Sequence, residues 1–245
     1  MKRRLSPPIV FMHIPKAGGT TVREQLRAWL PAARHVQFTS AHACDEISDE
    51  ELARTDVLTG HIGFRFLRRV PDARIVTFLR DPFERVRSQY YYHKHNLRTF
   101  QGRPLSFSEY LRSDVPGFRA VLDNGIVWQF AWDHYPCHRD VQRFPHARGL
   151  LQAAYRNIRR VDFIGFQEEL DADLRSLGMY LGVEDRRPVV PAANVTREKP
   201  RSVEISEADR EVFERRAALD IAFVAEVKML VQQRRAADWC LPGIM

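Results

Sequence analysis

The stretch from residue 9 to residue 21 constrains the fold more than any other part of this chain. It reads IVFMHIPKAGGTT: an apolar run typical of a buried strand is followed by Pro15, Lys16 and two glycines. Beyond it, apolar residues return at the spacing of one helix face, at Val22, Leu26, Trp29 and Leu30. The pattern predicts a strand, a glycine-containing turn and a helix, which is the basic unit of an α/β protein.

The predicted turn is suited to hold a phosphate or sulfate group. A strand, a turn and a helix in this order bring backbone amides and the positive end of a helix dipole to one point. Gly18 and Gly19 let an anion approach the backbone closely, because they have no Cβ. Lys16 adds a positive charge, and Thr20 and Thr21 add hydroxyl groups. The alternative is a glycine turn with a surface lysine and no ligand.

The order of the residues in this turn differs from the loop that binds nucleoside triphosphates. That loop reads G-x-x-x-x-G-K-[ST], with the lysine after the glycines, whereas the lysine precedes both glycines here. The order P-K-x-G-G-T-T resembles instead the 5′-phosphosulfate loop of sulfotransferases, which use 3′-phosphoadenosine 5′-phosphosulfate (PAPS). The resemblance implies that PAPS would be bound by Lys16, Ala17, Gly18, Gly19, Thr20 and Thr21.

A second strand end carries another candidate anion site. Residues 74–79, RIVTFL, predict a buried strand that ends at Arg80. An aspartate, a proline and, two residues later, a glutamate then predict the start of a helix, so we expect Asp81 to cap that helix rather than act in catalysis. Arg80 and Ser88, about two turns into the helix, could both reach one phosphate, the arginine through a two-pronged ion pair. A salt bridge at the sheet edge and an ordinary helical serine are the alternatives.

Residues 79–88, LRDPFERVRS, resemble the second sulfotransferase signature, which holds the 3′-phosphate of PAPS. A closer resemblance is to the glycan branch typified by heparan and uronyl 2-O-sulfotransferases, whose G-H-[VI]-x-F segment matches residues 60–64, GHIGF. In that branch the histidine is the general base, and the resemblance carries this role onto His61. Residues 56–61, DVLTGH, predict a buried strand that runs into Gly60 and His61, so His61 would lie at a strand's carboxyl end, where parallel sheets place their chemistry. A structural histidine is the alternative.

The resemblance implies in-line transfer of a sulfuryl group from PAPS to the hydroxyl group of an acceptor, expected to be a glycan or a glycolipid. Lys16 would neutralise charge that develops on the bridging oxygen, and His61 would take the hydroxyl proton. Arg80 and Ser88 would select PAPS over ATP by binding the 3′-phosphate. No metal is expected, because sulfuryl carries less charge than phosphoryl and no acidic pair is placed to hold magnesium.

The rest of the pattern completes an α/β chain. Further strands are predicted at residues 35–38 and 162–166, and helices from Ser48 and over residues 107–111, 121–132, 167–181 and 206–233. In the resembling enzymes a flexible basic segment before the last helix folds over the nucleotide, which makes Arg197 and Lys199 candidate donor-binding residues. We expect one sulfotransferase domain, residues 1–245, with a central parallel sheet flanked by helices in the manner of P-loop NTPases, and flexible tails at 1–8 and 236–245.

Composition leaves two rival functions open. The formal net charge of the 245 residues is +7, which favours an anionic partner. A non-catalytic module that binds polyanions is therefore one rival, although no helix-turn-helix, RNP or zinc-finger pattern favours nucleic acid as that partner. An ATP-dependent small-molecule kinase on a similar fold is the other, and the missing G-K-[ST] order speaks against it.

Cysteines, histidines and hydropathy bear on the compartment and on metals. The three cysteines are far apart, with neither zinc spacing nor a disulfide framework, which indicates a reducing compartment. His134, His138 and His146 are irregularly spaced and have no cysteine or carboxylate at ligand spacing. No apolar segment of signal-peptide type and no run of the ~20 apolar residues that span a bilayer occurs. The sequence predicts a cytoplasmic protein without a transmembrane segment.

Overall fold

The computed structural model describes residues 7–38, 43–96, 103–133, 142, 144–183 and 205–239. Within these ranges a five-stranded sheet has the order β2–β3–β1–β4–β5, and every neighbouring pair is parallel. The strands are β1 (Ile9–His13), β2 (His35–Phe38), β3 (Val57–Gly60), β4 (Arg74–Leu79) and β5 (Phe163–Phe166). Each was predicted from its apolar run, and β3 and β5 begin one residue later than predicted.

Helices lie between and after these strands. They are α1 (Gly19–Trp29), α2 (Ala43–Glu46), α3 (Asp49–Ala53), α4 (Phe64–Leu67), α5 (Pro82–Asn96), α6 (Phe107–Arg112), α7 (Pro116–Leu122), α8 (Gly125–Ala131), α9 (Ala147–Ile158), α10 (Leu170–Leu181), α11 (Glu207–Arg216) and α12 (Ala218–Trp239). Helix α9 is absent from the prediction, and α12 extends into the expected C-terminal tail. Among the helices of the described residues, none has both the length and the apolar character that crossing a membrane requires.

Helices cover both faces of the sheet. Side chains along a strand point alternately to opposite faces, and β1 contributes to a core on each side. Val10 and Met12 pack in one cluster with apolar residues of α8, α9 and α12. Ile9 and Phe11 pack in another with apolar residues of α1 and α10. A strand buried on both faces reads as a continuous apolar run, which explains why β1 could be predicted. The parallel sheet with helices on both faces confirms the expected α/β fold.

Two predicted helices are each divided in the structure. The predicted helix 121–132 is interrupted between α7 and α8 at Asn124, whose φ of 61° lies in the left-handed region. The predicted helix 206–233 is divided between α11 and α12 at Ala217, which is 1% exposed. Both predictions were wrong because the helical spacing of apolar residues continues across the breaks and outweighed the Asn124-Gly125 turn signal at the first of them.

The two breaks stabilise each other through side-chain caps. Asn124 Oδ1 accepts hydrogen bonds from the amides of Leu219 (2.8 Å) and Asp220 (3.2 Å) at the start of α12. The Asp220 carboxylate accepts hydrogen bonds from the amides of Ile126 (3.1 Å) and Val127 (2.8 Å) at the start of α8. Amides in the first turn of a helix have no intrahelical acceptor. Asp220, in the first turn of α12, therefore caps α8, and Asn124, directly before α8, caps α12.

Arg85 ties this pair of caps to α5, the helix that follows β4. Its Nη2 donates hydrogen bonds to the carbonyl oxygen of Val121 (2.6 Å) and to Asp220 Oδ2 (3.2 Å). The side chains of Arg85 and Asp220 are 2% and 0% exposed. Burial raises the pKa of Asp220, and the charge of Arg85 and the two amides oppose that shift. The buried network holds α5 against α8 and α12, and α5 carries Ser88.

Candidate active site

The turn between β1 and α1 has an unusual backbone. Lys16 and Gly18 have φ angles of 66° and 79°, in the left-handed region that glycine enters without a steric penalty and that other residues seldom adopt. The Ala17 amide donates a 3.2 Å hydrogen bond to the carbonyl oxygen of Ile14, and the Ala17 side chain is 1% exposed. Ala17 therefore shapes the turn, and Gly18 supplies the sharp change of direction that starts α1.

The start of α1 is suited to an anion. Gly18 is its N-cap residue without a side-chain cap, and its first turn contains no acidic residue. The first helical hydrogen bond runs from Val22 to Gly18 (3.2 Å), so the positive end of the helix dipole lies at Gly19. Thr20 is half-buried beside it, whereas Thr21 is only 4% exposed. Of the two hydroxyl residues, Thr20 is thus the more accessible from the turn.

Arg80 reaches from the end of β4 to this turn. Because β1 and β4 are parallel and His13 pairs with Phe78, the residues that follow the two strands emerge side by side. Arg80 Nη1 donates a 3.0 Å hydrogen bond to the carbonyl oxygen of Lys16, and its side chain is 12% exposed. Burial lowers the pKa of Arg80 below its ordinary value, with opposing contributions led by Glu84, and an arginine keeps its charge at neutral pH.

The helix after Arg80 begins as predicted. Asp81 Oδ1 accepts a 2.9 Å hydrogen bond from the Glu84 amide, which is the bond of an N-cap residue. The Asp81 amide donates to Glu168 Oε1 (2.8 Å) and so ties the start of α5 to the end of β5. Ser88 lies near the end of the second turn of α5 and is half-buried. The sequence-based role of Asp81 as a cap is confirmed.

His61 follows β3 directly, as predicted from the sequence, and faces a second histidine. Met12 of β1 pairs with Gly60 of β3, so the next residues on the two strands, His13 and His61, stand level at the carboxyl edge of the sheet. Their ring centroids are 4.7 Å apart and the ring planes are inclined at 89°. Both line a cavity of about 160 Å³, together with Phe11, Arg23, Gln37, Phe38, Thr59 and Gly60.

His13 connects the histidine pair to the glycine turn. A Cβ atom added at Gly19 would lie 1.9 Å from both Cδ2 and Nε2 of His13, so the imidazole packs directly against the Gly19 backbone. On its other side His13 stacks on Phe11, with ring centroids 5.6 Å apart. The absence of a side chain at Gly19 therefore makes room for His13, and His13 lies between the turn and His61.

Both imidazoles are neutral at neutral pH. Burial lowers the pKa of His61 from 6.5 to about 4. Burial also lowers the pKa of His13 well below its ordinary value, and the positive charge of a protonated His61 adds to that shift. A neutral imidazole can accept a proton, so the carboxyl edge of the sheet holds a potential base close to Gly19 and the turn that carries Lys16.

Comparison with known proteins identifies the family of the chain. The model of the sulfotransferase family matches residues 6–224. The chain belongs to the sulfotransferase family. The crystal structure of a sulfotransferase from Alicyclobacillus acidocaldarius is similar to it, with a TM-score of 0.49 and 17% sequence identity over 91% of this chain and 96% of that chain. Comparison with curated proteins gives no significant match.

One aromatic ring of the sulfotransferase lies at the turn, and the sequence analysis assigned no role to that ring. Tyr92 lies on α5, and its ring centroid is 4.6 Å from Lys16 Nζ, within the range of a cation–π contact. The Tyr92 side chain is 51% exposed. The sequence could not place Tyr92 at the turn, because the position of α5 relative to the turn depends on the β1–β4 register.

A second arginine of the sulfotransferase was also missed. Arg87 Nη2 lies 2.7 Å from Glu84 Oε2, and Arg80 Nη2 lies 3.4 Å from the same oxygen. Arg87 is three residues after Glu84 on α5, and Arg80 is four residues before Glu84, just ahead of the helix. These spacings could have indicated both ion pairs, because residues three or four apart are neighbours on one helix face. The candidate residues Arg197 and Lys199 lie outside the described residues, as do His134 and His138.

Proposed function

We propose that this sulfotransferase transfers a sulfuryl group from PAPS to a hydroxyl group of a carbohydrate acceptor. The observation that carries the proposal is the 3.0 Å hydrogen bond from Arg80 to the carbonyl oxygen of Lys16. It makes the glycine turn and the end of β4 neighbours. The two phosphate-bearing ends of one adenosine derivative could therefore be bound by these two parts of the chain together.

The residues present fit such a donor. The start of α1 has no acidic residue, so its dipole, with Lys16 beside it, suits the 5′-phosphosulfate. Arg80 is 12% exposed, and its Nε has no hydrogen-bond partner among the described residues. A buried donor without a partner is rare in proteins, and a phosphate would add negative charge at this guanidinium. The 5′ part of PAPS would be held by Lys16, Gly18, Gly19, Thr20 and Thr21, and the 3′-phosphate by Arg80 and Ser88.

Catalysis in this proposal consists of positioning and charge stabilisation. Bound PAPS supplies the activated sulfuryl group. The Lys16 ammonium stabilises negative charge on the oxygen that leaves the sulfur. Since Lys16 follows β1 and Arg80 follows β4, the same parallel sheet positions both residues, and the Arg80 hydrogen bond holds the Lys16 backbone.

His61 is the proposed general base. Its lowered pKa, about 4, keeps a ring nitrogen unprotonated at neutral pH, so the nitrogen can accept the proton of the acceptor hydroxyl. The negative charges of a bound donor would raise this pKa toward the range in which a base works best. His13 packs against Gly19 on one side and against His61 on the other. These two contacts would keep the base at a fixed distance from the turn that binds the donor.

An acidic glycan is the proposed acceptor. Residues 60–64 match the GHIGF-type segment of the 2-O-sulfotransferase branch, and the net charge of +7 favours an anionic substrate. Arg197 and Lys199, between α10 and α11 in the sequence, are proposed to add basic contacts to the nucleotide. The proposal treats residues 1–245 as one sulfotransferase domain and assigns no metal to the reaction.

Calorimetric titration with adenosine 3′,5′-bisphosphate (PAP), ATP and ADP tests the proposal without knowledge of the acceptor. We expect PAP to bind at least about tenfold more tightly than ATP or ADP, since charge-assisted bonds to the 3′-phosphate add roughly 1.5–3 kcal/mol. A kinase would prefer ATP in the presence of magnesium. A polyanion-binding module would bind all three weakly, with a strong salt dependence, and would be indifferent to Lys16→Ala.

A further inference from the structure

Two largely buried arginines share one carboxylate beside the proposed 3′-phosphate site. Arg80 and Arg87 both contact Glu84 Oε2, at 3.4 and 2.7 Å. Their side chains are 12% and 11% exposed, and that of Glu84 is 31% exposed. The charge of Arg87 is among the influences that lower the pKa of Arg80, which means that the two guanidinium groups lie close enough to repel each other.

The hydrogen bonding of this arginine pair is incomplete within the described residues. The Nε atoms of Arg80 and Arg87 are both buried and have no hydrogen-bond partner there. Asp81 and Glu168 also attract Arg80, but both are exposed, and water and salt screen exposed charges. Buried arginines are normally paired, so two guanidinium groups that share one half-buried carboxylate leave room for a further anion.

The other arginine of this segment has a different role. Arg85 is directed toward Asp220 and the carbonyl oxygen of Val121, and both of those contacts are structural. Arg87, in contrast, lies on the helix face of Glu84 because it is three residues further along α5. It also directly precedes Ser88, the second residue proposed for the 3′-phosphate.

We propose that Arg87 is a specificity-determining residue that binds the 3′-phosphate of the donor together with Arg80. This inference rests on the proposed function and deepens it. A phosphate monoester carries up to two negative charges, and two guanidinium groups around it match its charge better than one. Glu84 keeps the two arginines side by side, so the pair is already assembled when the donor arrives.

Two ligands that differ only in the 3′-phosphate isolate the contribution of Arg87. Calorimetry on the whole chain would compare PAP with adenosine 5′-monophosphate (AMP), for the wild type and for Arg87→Met. We expect Arg87→Met to weaken PAP binding about tenfold or more, the equivalent of one charge-assisted bond, and to change AMP binding less than about threefold. The preference for PAP over AMP should therefore fall by nearly the whole loss in PAP affinity.

Arg54→Met is the matched control. Arg54, which directly follows α3, forms an ion pair of the same length, 2.7 Å, with Glu50 of α3, but both side chains are more than half exposed. We expect this control to leave both affinities unchanged. If Arg87→Met does not fold, as judged by its thermal transition, Arg87→Gln keeps a donor toward Glu84 while removing the charge, and we expect the same loss of preference.

The outcomes separate this inference from the proposed function. A wild type that binds AMP as tightly as PAP has no 3′-phosphate site, which overturns both. A wild type that prefers PAP, with variants of Arg87 that keep the full preference or lose PAP and AMP affinity equally, upholds the donor assignment and overturns only the role of Arg87. A selective loss of PAP affinity supports the inference.

Discussion

Arg80 donates a hydrogen bond of 3.0 Å from its Nη1 atom to the carbonyl oxygen of Lys16. The two residues are far apart in sequence, and they meet because β1 and β4 are adjacent and parallel. Carboxyl ends of parallel strands gather at one edge of a sheet, where α/β proteins bind their ligands. The bond joins the turn proposed for the 5′-phosphosulfate to the arginine proposed for the 3′-phosphate.

Lys16→Ala should abolish most of the sulfuryl transfer. If the ammonium stabilises charge on the leaving oxygen, its loss should lower kcat by at least about 100-fold. The measurement is the initial rate of PAP formation from PAPS with an acceptor. Because Lys16 is only half-buried and its Nζ lies over the exposed ring of Tyr92, we expect the thermal transition to change little.

Lys94→Ala is the control for that variant. Lys94 is an exposed lysine of α5 that lies over another tyrosine ring, with Nζ 5.7 Å from the centroid of Tyr90. It resembles Lys16 in its cation–π contact but belongs to α5 and not to the turn. Its substitution should leave kcat within about twofold, since it removes only one weak exposed contact. Wild-type turnover in Lys16→Ala would exclude the assigned role.

Gly19→Ala should impair activity by displacing His13. The added Cβ would lie 1.9 Å from two atoms of the imidazole, which cannot yield freely because His61 and Phe11 pack around it. Overpacking of this kind costs about 1–3 kcal/mol. We therefore expect a lower unfolding midpoint in urea and a reduced kcat, since the shift is passed on to His61.

Gly149→Ala provides the comparison for a glycine with space around it. Gly149 lies inside α9, and a Cβ there would meet no atom within 4 Å. Alanine in a helix is more stable than glycine by roughly 0.5–1 kcal/mol, so this variant should be as stable as the wild type or more stable, with unchanged activity. Equal behaviour of the two alanine variants would contradict the contact between Gly19 and His13.

Asp220→Ala should be strongly destabilising. It removes the cap of α8 and leaves Arg85, 2% exposed, without its carboxylate. Breaking a buried ion pair from one side costs about 3–5 kcal/mol. Urea unfolding should report a loss of this size, whereas Glu50→Ala, in an exposed pair with Arg54, should cost less than about 1 kcal/mol. Similar losses for the two variants would mean that the buried network adds little.

The position of His61 could be predicted from the sequence because it depends on short-range patterns. The apolar runs of β1 and β3 predict buried strands, and a residue directly after such a strand must lie at the carboxyl edge of a parallel sheet. The pairing of His61 with His13 could not be predicted, because it depends on the register in which Met12 faces Gly60. No local pattern fixes that register.

The divided helices show where apolar spacing misleads. The break at Asn124 has a local signal, because Asn-Gly is a turn dipeptide, whereas the caps that Asn124 and Asp220 provide for each other's helices join positions far apart in the chain. Helical spacing alone therefore predicted continuous helices. Arg87 is an intermediate case, since its spacing from Glu84 could have indicated an ion pair, whereas its closeness to Arg80 required the structure.

His61→Ala should lower kcat by roughly 10²–10⁴, the usual contribution of a general base. The affinity for PAP should be nearly unchanged, because His61 is proposed to act on the acceptor and not on the donor. His95→Ala, at an exposed histidine of α5, should leave both quantities unchanged. A variant without His61 that turns over as fast as the wild type would remove this residue as the base.

The lowered pKa of His61 also makes a prediction about stability and pH. Between pH 6.5 and about 4, the unfolded chain binds a proton at His61 and the folded protein does not, so protons favour unfolding. The free energy of unfolding should therefore fall as the pH falls through this window, and linkage gives a contribution from His61 of ~2 kcal/mol between neutral pH and about pH 5. His61→Gln, which cannot titrate, should lose less stability than the wild type over the same change. Urea unfolding of both proteins at the two pH values measures the difference, and parallel losses would mean that His61 keeps an ordinary pKa in the folded protein.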